Sequence, residues 1–395
     1  MAMKLNKITE ASLSLIFVIM IGAPALVDGL GNGGSTASIE KREAARKPDG
    51  ALLWSSFSAY TNKFETYFND SFSLRGRLIR WNNLMRLSLF NESRVKGVRV
   101  GTDGWLFYAD EWVFEDYENV IPYRPEDLVK IRTILEQRRV WLEQRGIRFF
   151  AIIPPNTQTI YPEYLPPAVH KLGKKSRLDQ VAEYLKAYPE IELLDVRGAL
   201  LNAKGAQRLY NRTDSHWNDY GAFIGYEALM ERVEKYFPNV KRLGLADFTV
   251  KTEEGEGGDL ARMLSLGEDI KEERITLVPR FTPRAADGVR DYDDPVNHPG
   301  REMVVKETRD TRLPKALVFR DSYSWGLIPH LAESFQSVVF LWTFEFLPEI
   351  IEREKPDVVI LESVERYINA LTIENPEEVK AAWTAVSASS VGAPR

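Results

Sequence analysis

Short unbroken apolar runs, separated by stretches of helical period, dominate the chain from residue 123 onward. Runs at 147–153, 191–196, 316–319, 338–342 and 358–361 read as strands, because they are too short for buried helices and show no polar alternation. Between them, 126–145, 174–188, 218–237, 325–335 and 347–354 place apolar residues at three- and four-residue spacing, and Gly146 ends the first of these. Strands lacking a polar face need cover on both sides, so the pattern predicts an α/β fold with a parallel sheet between two helical layers. Upstream, aromatics and leucines recur at helical spacing from Trp54 to Phe90 and predict an N-terminal helical extension. Gly101–Tyr108 reads as a turn entering an aromatic strand. Between 247 and 312 the chain is polar, rich in Gly, Pro and Arg, and without a sustained period; a surface insertion is expected there.

The N-terminal pattern has a different meaning. Lys4 and Lys7 precede an apolar stretch at 13–21, followed by Gly22-Ala23-Pro24-Ala25. That is the layout of a secretory signal with a small-residue cleavage site. As a helix, 11–27 would span about 25 Å, short of a hydrocarbon core of about 30 Å, so cleavage after Ala25 is favoured over a retained anchor. Either outcome places the remaining chain outside the cytoplasm, in the periplasm or tethered at the inner membrane. The resulting division is a signal peptide or anchor at 1–28, a Gly- and charge-rich linker at 29–50, and a helical and aromatic segment at 51–122. A main domain follows at 123–375, with its polar insertion at 247–312, and then a tail at 376–395.

Composition narrows the chemistry. The 395 residues are 44% hydrophobic and 28% charged, with net charge −5, which gives no electrostatic case for nucleic acid. Zero cysteines exclude disulfides and thiolate metal sites, and four dispersed histidines offer no multi-histidine centre, so no metal or organic cofactor is expected.

Two motifs carry nucleophilic chemistry. In Asp214-Ser215-His216 the acid and the imidazole are two apart, a spacing that cannot share a helix face but on a loop lets the carboxylate hold one tautomer. Ser322 follows the apolar run ending at Phe319, where a strand gives way to a helix and an α/β fold exposes a nucleophile. Pro154-Pro155-Asn156 follows another strand end in the same way. Ser322 is thus the candidate nucleophile, His216 its base and Asp214 the orienting acid. Asn156, Arg320, Tyr323 and Trp217 flank these motifs and are candidates for holding substrate or an oxyanion. Taken singly, Asp214, Asp321 and Ser322 also suit helix caps, and His330 reads as packing or surface. His170 and His298, in Pro-rich stretches, read as surface.

The order Gly101-Thr102-Asp103-Gly104-Trp105-Leu106-Phe107, Tyr161-Pro162-Glu163, Asp214-Ser215-His216-Trp217 and Asp321-Ser322-Tyr323-Ser324 resembles the SGNH-hydrolase-like alginate O-acetyltransferases of the AlgJ/AlgX type and the related DHHW proteins. Gly258-Asp259-Leu260, Pro356-Asp357-Val358-Val359 and Glu365-Arg366 add weaker matches, and the resemblance covers about 60–370. The Asp–His pair precedes the Ser, the family's permuted order. Two positions depart from the pattern: Arg320 stands where relatives often have Gly, and Thr157 where they often have Lys. The stretch after Arg366 leaves no room for a carbohydrate-binding module, which brings the chain closer to the AlgJ type. The resemblance implies an O-acetyltransferase acting on an exported polysaccharide through an acyl-serine, with a membrane-bound O-acyltransferase partner supplying acetyl. A carbohydrate esterase of the same fold, or a non-catalytic polysaccharide-binding subunit of a secretion complex, is the alternative expectation.

Overall fold

The computed structural model describes residues 12–15, 17–18, 45–71, 75–296 and 300–373. Most of the expected signal and linker, the tail at 376–395 and His298 lie outside the described residues. Among those described, no helix is long and apolar enough to cross a membrane. The chain divides into two compact units, residues 1–94 with 262–266, and 95–261 with 267–395.

The first unit contains the helices Ala51–Ser55, Phe57–Ser71 and Arg75–Phe90. Their aromatic spacing has a direct consequence: Tyr60, Phe64 and Phe68 stack successively along one face, with ring centroids 5.9 and 6.3 Å apart.

The second unit opens with a hairpin of β1 (Val98–Val100) and β2 (Leu106–Tyr108). Its reversal is made by Asp103 and Gly104, both at positive φ (51° and 77°), the backbone an Asp-Gly turn favours. The main sheet follows from β3 (Arg148–Ile153), β4 (Leu193–Asp195), β8 (Val304–Glu307), β9 (Lys315–Phe319), β10 (Ser337–Leu341) and β11 (Val358–Glu362), with the two-residue β7 (Ala286–Asp287) at one edge. The order is β4-β3-β11-β9-β10-β8-β7. The pairs from β4 to β10 are parallel, and β8 and β7 add on antiparallel.

Alternate residues of each central strand feed two cores. Phe150, Ile152, Val318, Val338 and Ile360 face the helices Asp219–Val233 and Ile328–Ser334. Phe149, Ala151, Leu317, Val339 and Leu361 face Pro125–Glu143, Arg177–Leu185 and Pro348–Glu354. Both faces are dry, which is why these strands read as unbroken apolar runs.

The expectation for 247–312 needs correction. The segment holds a long antiparallel hairpin, β5 (Phe248–Glu256) with β6 (Lys271–Pro279), and then β7 and β8 of the main sheet. In β5 only Phe248 is buried and the rest is solvated, so no apolar alternation marks it. The region expected as helix at 325–335 is also divided, into a 3₁₀ turn at Ser322–Gly326 and a helix at Ile328–Ser334.

Candidate active site

Parallel strands present their carboxyl ends on one rim, and β3, β9 and β11 deliver Asn156, Ser322 and Glu365-Arg366 there. Ser322 opens the 3₁₀ turn after β9, while His216 lies just before the helix Asp219–Val233. Ser322 Oγ is 2.8 Å from His216 Nε2, and His216 Nδ1 is 2.8 Å from Asp214 Oδ1. The Asp-x-His spacing achieves this by folding back on itself: Asp214 Oδ1 also accepts the His216 backbone N–H at 3.0 Å.

Opposing effects set the charge of the pair. Burial works against an imidazolium at His216, but the hydrogen bond and charge of Asp214, with that of Asp259, outweigh it and hold the ring's pKa above 6.5. Burial likewise disfavours the Asp214 carboxylate, yet His216 and two backbone N–H groups bring it down to about 2. Asp214 therefore stays ionised beside a base of raised strength.

Asp259 and its neighbours escaped the residue-level reading; only the family resemblance touched them. Asp259 accepts from Ser215 N–H at 2.7 Å and Ser215 Oγ at 2.6 Å, and its own N–H donates to Asp214 Oδ2 at 3.1 Å. Burial and the Asp214 charge push its carboxyl upward. Gly258 makes this approach possible, since a Cβ there would lie 2.5 Å from Asp214 Cβ and 2.6 Å from Thr213 O. Behind them, buried Glu272 accepts from Thr213 N–H and Oγ1 at 2.8 and 2.6 Å. The β5–β6 hairpin thus braces the loop that carries Asp214 and His216. A buried acid in β6 is the signal that was available, but in sequence it is one charge among several.

Asn156 is clamped from β11. Its Oδ1 accepts from Arg366 Nη1 at 3.0 Å, and its backbone N–H donates to Glu365 Oε2 at 2.9 Å. Glu365 is fully buried, accepts also from Thr159 Oγ1, and is raised by burial to about 7. The Arg366 guanidinium lies 5.0–5.3 Å from the ring centroids of Tyr108, Tyr323 and Tyr367 and 3.2 Å from a Glu111 oxygen. Among the described residues, neither Asn156 Nδ2 nor the Ser322 N–H has an internal acceptor. Two donors are therefore free on the rim that carries the serine. Thr157, which follows Asn156, is buried.

The other flanking candidates are Tyr323, Trp217 and Arg320. Tyr323 is buried, with its hydroxyl donating to Ser215 O, and the Trp217 indole N–H donates to Tyr323 O at 2.9 Å. These two hydrogen bonds tie the Asp214–His216 and Ser322 motifs together. Arg320 is wholly buried, stacked between Trp325 and Trp342 at 4.4 and 4.6 Å, and burial lowers its pKa to about 10. Its guanidinium is enclosed between these two indoles and has no exposed surface. Asp321 caps the turn through Tyr323 N–H and fastens it to β11 through Val364 N–H, both at 2.8 Å.

Asp214, His216 and Asp259 bring their ligand atoms within 4.8 Å of one another, the one such group among the described residues. His216 Nδ1 is hydrogen-bonded to Asp214, and Asp259 is taken up by Ser215, so the donor set is one already satisfied by protein hydrogens. His330 is buried against Phe223, Tyr226 and Phe248, whereas His170 is exposed.

Comparison with known proteins agrees with this architecture. The model of the family "SGNH hydrolase-like domain, acetyltransferase AlgX" matches residues 98–295, which include Asn156, Asp214, His216 and Asp259 and stop short of Ser322. A probable alginate O-acetylase AlgJ of Pseudomonas fluorescens is 28% identical over 184 residues, 45% of this chain and 44% of that protein. The match thus spans less than half of that relative. In fold, the chain is similar to a DHHW family protein from Eubacterium siraeum, with TM-score 0.51 and 18% identity over 73% of this chain and 96% of that one. It is also similar to Bacillus cereus PatB1, with TM-score 0.50 and 17% identity over 69% and 96%. The parallel sheet, the strand-end serine and the family match over half the sequence lead to one assignment: this chain belongs to the AlgX family of SGNH hydrolase-like acetyltransferase domains.

Proposed function

We propose that this chain is an O-acetyltransferase that moves acetyl onto hydroxyls of an exported polysaccharide through an acyl-serine. The observation that carries the reading is the unbroken hydrogen-bonded path from Ser322 Oγ through His216 to Asp214, each link 2.8 Å. In the first half-reaction His216 Nε2 takes the Ser322 proton as Oγ attacks the donor's acetyl carbonyl. The tetrahedral oxyanion takes hydrogen bonds from the Ser322 N–H and Asn156 Nδ2. Collapse expels the donor's leaving group, which receives the proton from His216. In the second half, His216 deprotonates a sugar hydroxyl, which attacks the acyl-serine and restores free Ser322. Asp214 keeps Nδ1 protonated and stabilises the imidazolium in both halves.

The acceptor class follows the names of the alginate O-acetylase relatives. The site is assigned to the periplasmic side from the charge and apolar pattern of residues 1–28. Because acyl-coenzyme A is cytoplasmic, the donor is supplied by a membrane-bound O-acyltransferase that carries acetyl across the inner membrane.

The test is acceptor dependence. A nitrophenyl acetate should give a burst of nitrophenol and slow turnover in water, with oligosaccharide accelerating turnover and gaining acetyl by mass spectrometry. Fast hydrolysis that no oligosaccharide alters, with no acetylated sugar, makes the chain an esterase. Failure of a fluorophosphonate to label Ser322 makes it a binding subunit.

A further inference from the structure

The peptide that joins Asp321 to Ser322 carries one of the two free donors of the rim, the Ser322 N–H. That peptide is trans, so its carbonyl points away from its N–H. Whatever holds the carbonyl therefore sets the direction of the donor. Arg320 Nη1 donates to Asp321 O at 3.2 Å, and among the described residues no other side chain does. The backbone leading into this peptide is pinned as well. Arg320 N–H donates to Leu341 O at 2.9 Å, and Asp321 N–H to Glu362 Oε2 at 3.0 Å.

A guanidinium is a costly group to keep in this place. Among the described residues, Arg320 Nε and Nη2 have no hydrogen-bond partner, and no carboxylate forms an ion pair with it. Glu362, Asp321, Asp294 and Glu302 act on it only from farther away. Of these, Glu362 is pushed toward its neutral form by burial, and Asp321 spends its oxygens on the Tyr323 and Val364 N–H groups. Burial lowers the Arg320 pKa to about 10, which still leaves the group charged at neutral pH. An apolar side chain of similar volume would fill the space between Trp325 and Trp342 without that desolvation. A buried cation with unused donors therefore needs a reason other than packing.

We propose that Arg320 is the positioning residue of the oxyanion site: its guanidinium grips the Asp321 carbonyl, aims the Ser322 N–H at the reacting carbonyl and strengthens that donor by polarising the peptide. The proposal rests on the acyl-serine reading. Arg320 acts through the Ser322 peptide, and its charge counts most when the oxyanion forms. That species exists only in the tetrahedral intermediates, so the effect falls on rate and not on ground-state binding. Both half-reactions pass through such an intermediate, and Arg320 serves each in the same way.

The test compares the full chain with Arg320→Met, which fills the space between the indoles without a charge, in the nitrophenyl acetate burst. The acylation rate should fall about 10- to 100-fold, short of the roughly 10²–10³-fold that outright loss of an oxyanion donor costs. Half-saturation by the ester and the pH inflection set by His216 should not change. Arg320→Lys, which keeps the charge, should recover part of the loss. Infrared difference spectra of the acyl-enzyme, with an isotope-labelled acetyl carbonyl, read the site directly. Weaker hydrogen bonding in Arg320→Met should move the C=O stretch to higher frequency. Arg320→Gln, also neutral, carries the test if Arg320→Met does not fold. A folded neutral variant that acylates within about threefold of the parent overturns the proposal. So does a C=O stretch that stays in place, or Arg320→Lys acylating no faster than Arg320→Met. A parent chain that forms no acyl-enzyme overturns the acyl-serine reading and this inference with it, whereas equal acylation by parent and Arg320→Met removes this inference alone.

Discussion

His216 is subject to burial, which favours the neutral ring, and to Asp214, which favours the charged one; Asp214 prevails and the pKa rises above 6.5. A general base must be neutral to act, so the acylation rate with an activated ester should increase with pH and level off above an inflection higher than 6.5. Asp214→Asn removes the hydrogen-bonded charge that raises the ring, so the inflection should move to lower pH. The plateau should fall about 10³-fold or more through loss of the tautomer lock. Ser322→Ala and His216→Ala should abolish the burst, and the double variant should lose little beyond either single one. A burst that persists in Ser322→Ala removes the nucleophile assignment. Gly258 supplies a steric test at the same scale. A Cβ 2.5 Å from Asp214 Cβ has nowhere to go, so Gly258→Ala should displace the carboxylate. It should cost about 1–3 kcal/mol of stability and slow Ser322 labelling. Thermal denaturation and fluorophosphonate kinetics check both, and unchanged labelling would show that the Asp214 position is not critical.

At the scale of elements, the end of β11 ties the two sides of the rim together. Glu362, Val364, Glu365 and Arg366 fasten the serine turn on one side and Asn156 on the other. Glu362 is fully buried, and burial together with the Asp321 charge raises its carboxyl far above the ordinary range. Glu365 is raised to about 7 from 4.5, so the folded state holds its proton where the unfolded chain releases it. The sign follows from proton linkage: stability from this group is full below pH 4.5 and is lost as pH rises to about 7. The loss is about 3 kcal/mol. Glu365→Gln keeps an oxygen for the Asn156 N–H and Thr159 hydroxyl but does not titrate. Its urea-unfolding stability should therefore vary less between pH 4.5 and 7 than that of the parent, and parallel profiles would refute the buried-acid account.

At the scale of the whole molecule, one layered sheet carries the serine turn and Asn156, while the β5–β6 hairpin braces the Asp214–His216 loop from a distant part of the chain. The orientation of this assembly in the cell rests on the sequence, in Lys4, Lys7 and the apolar stretch after them. An alkaline phosphatase fused to the C-terminus should be active, and a cytoplasmic reporter at the same point silent. The reverse pattern would place the site inside the cell and remove an exported polysaccharide as acceptor.

Sequence pattern alone determined the central layers, because a strand buried on both faces must be apolar at every position, as Leu317-Val318-Phe319 and Val358–Leu361 are. It also determined the Asp214–His216 contact, since two residues on a loop cannot drift far apart. The β5–β6 hairpin was not legible: one buried residue in β5 leaves no period to read, and backbone pairing has no side-chain signature. Nor was the burial of Arg320, which flanks the serine in sequence and is enclosed in the fold by two indoles from separate strand ends. Gly258, Asp259, Glu272, Glu365 and Arg366 act through partners 44 to 210 residues away in the chain, and only the folded sheet and hairpin bring them within hydrogen-bond reach. Local spacing specifies what neighbours in sequence do to each other; the charge state, the clamps and the free donors of this site come from neighbours in space.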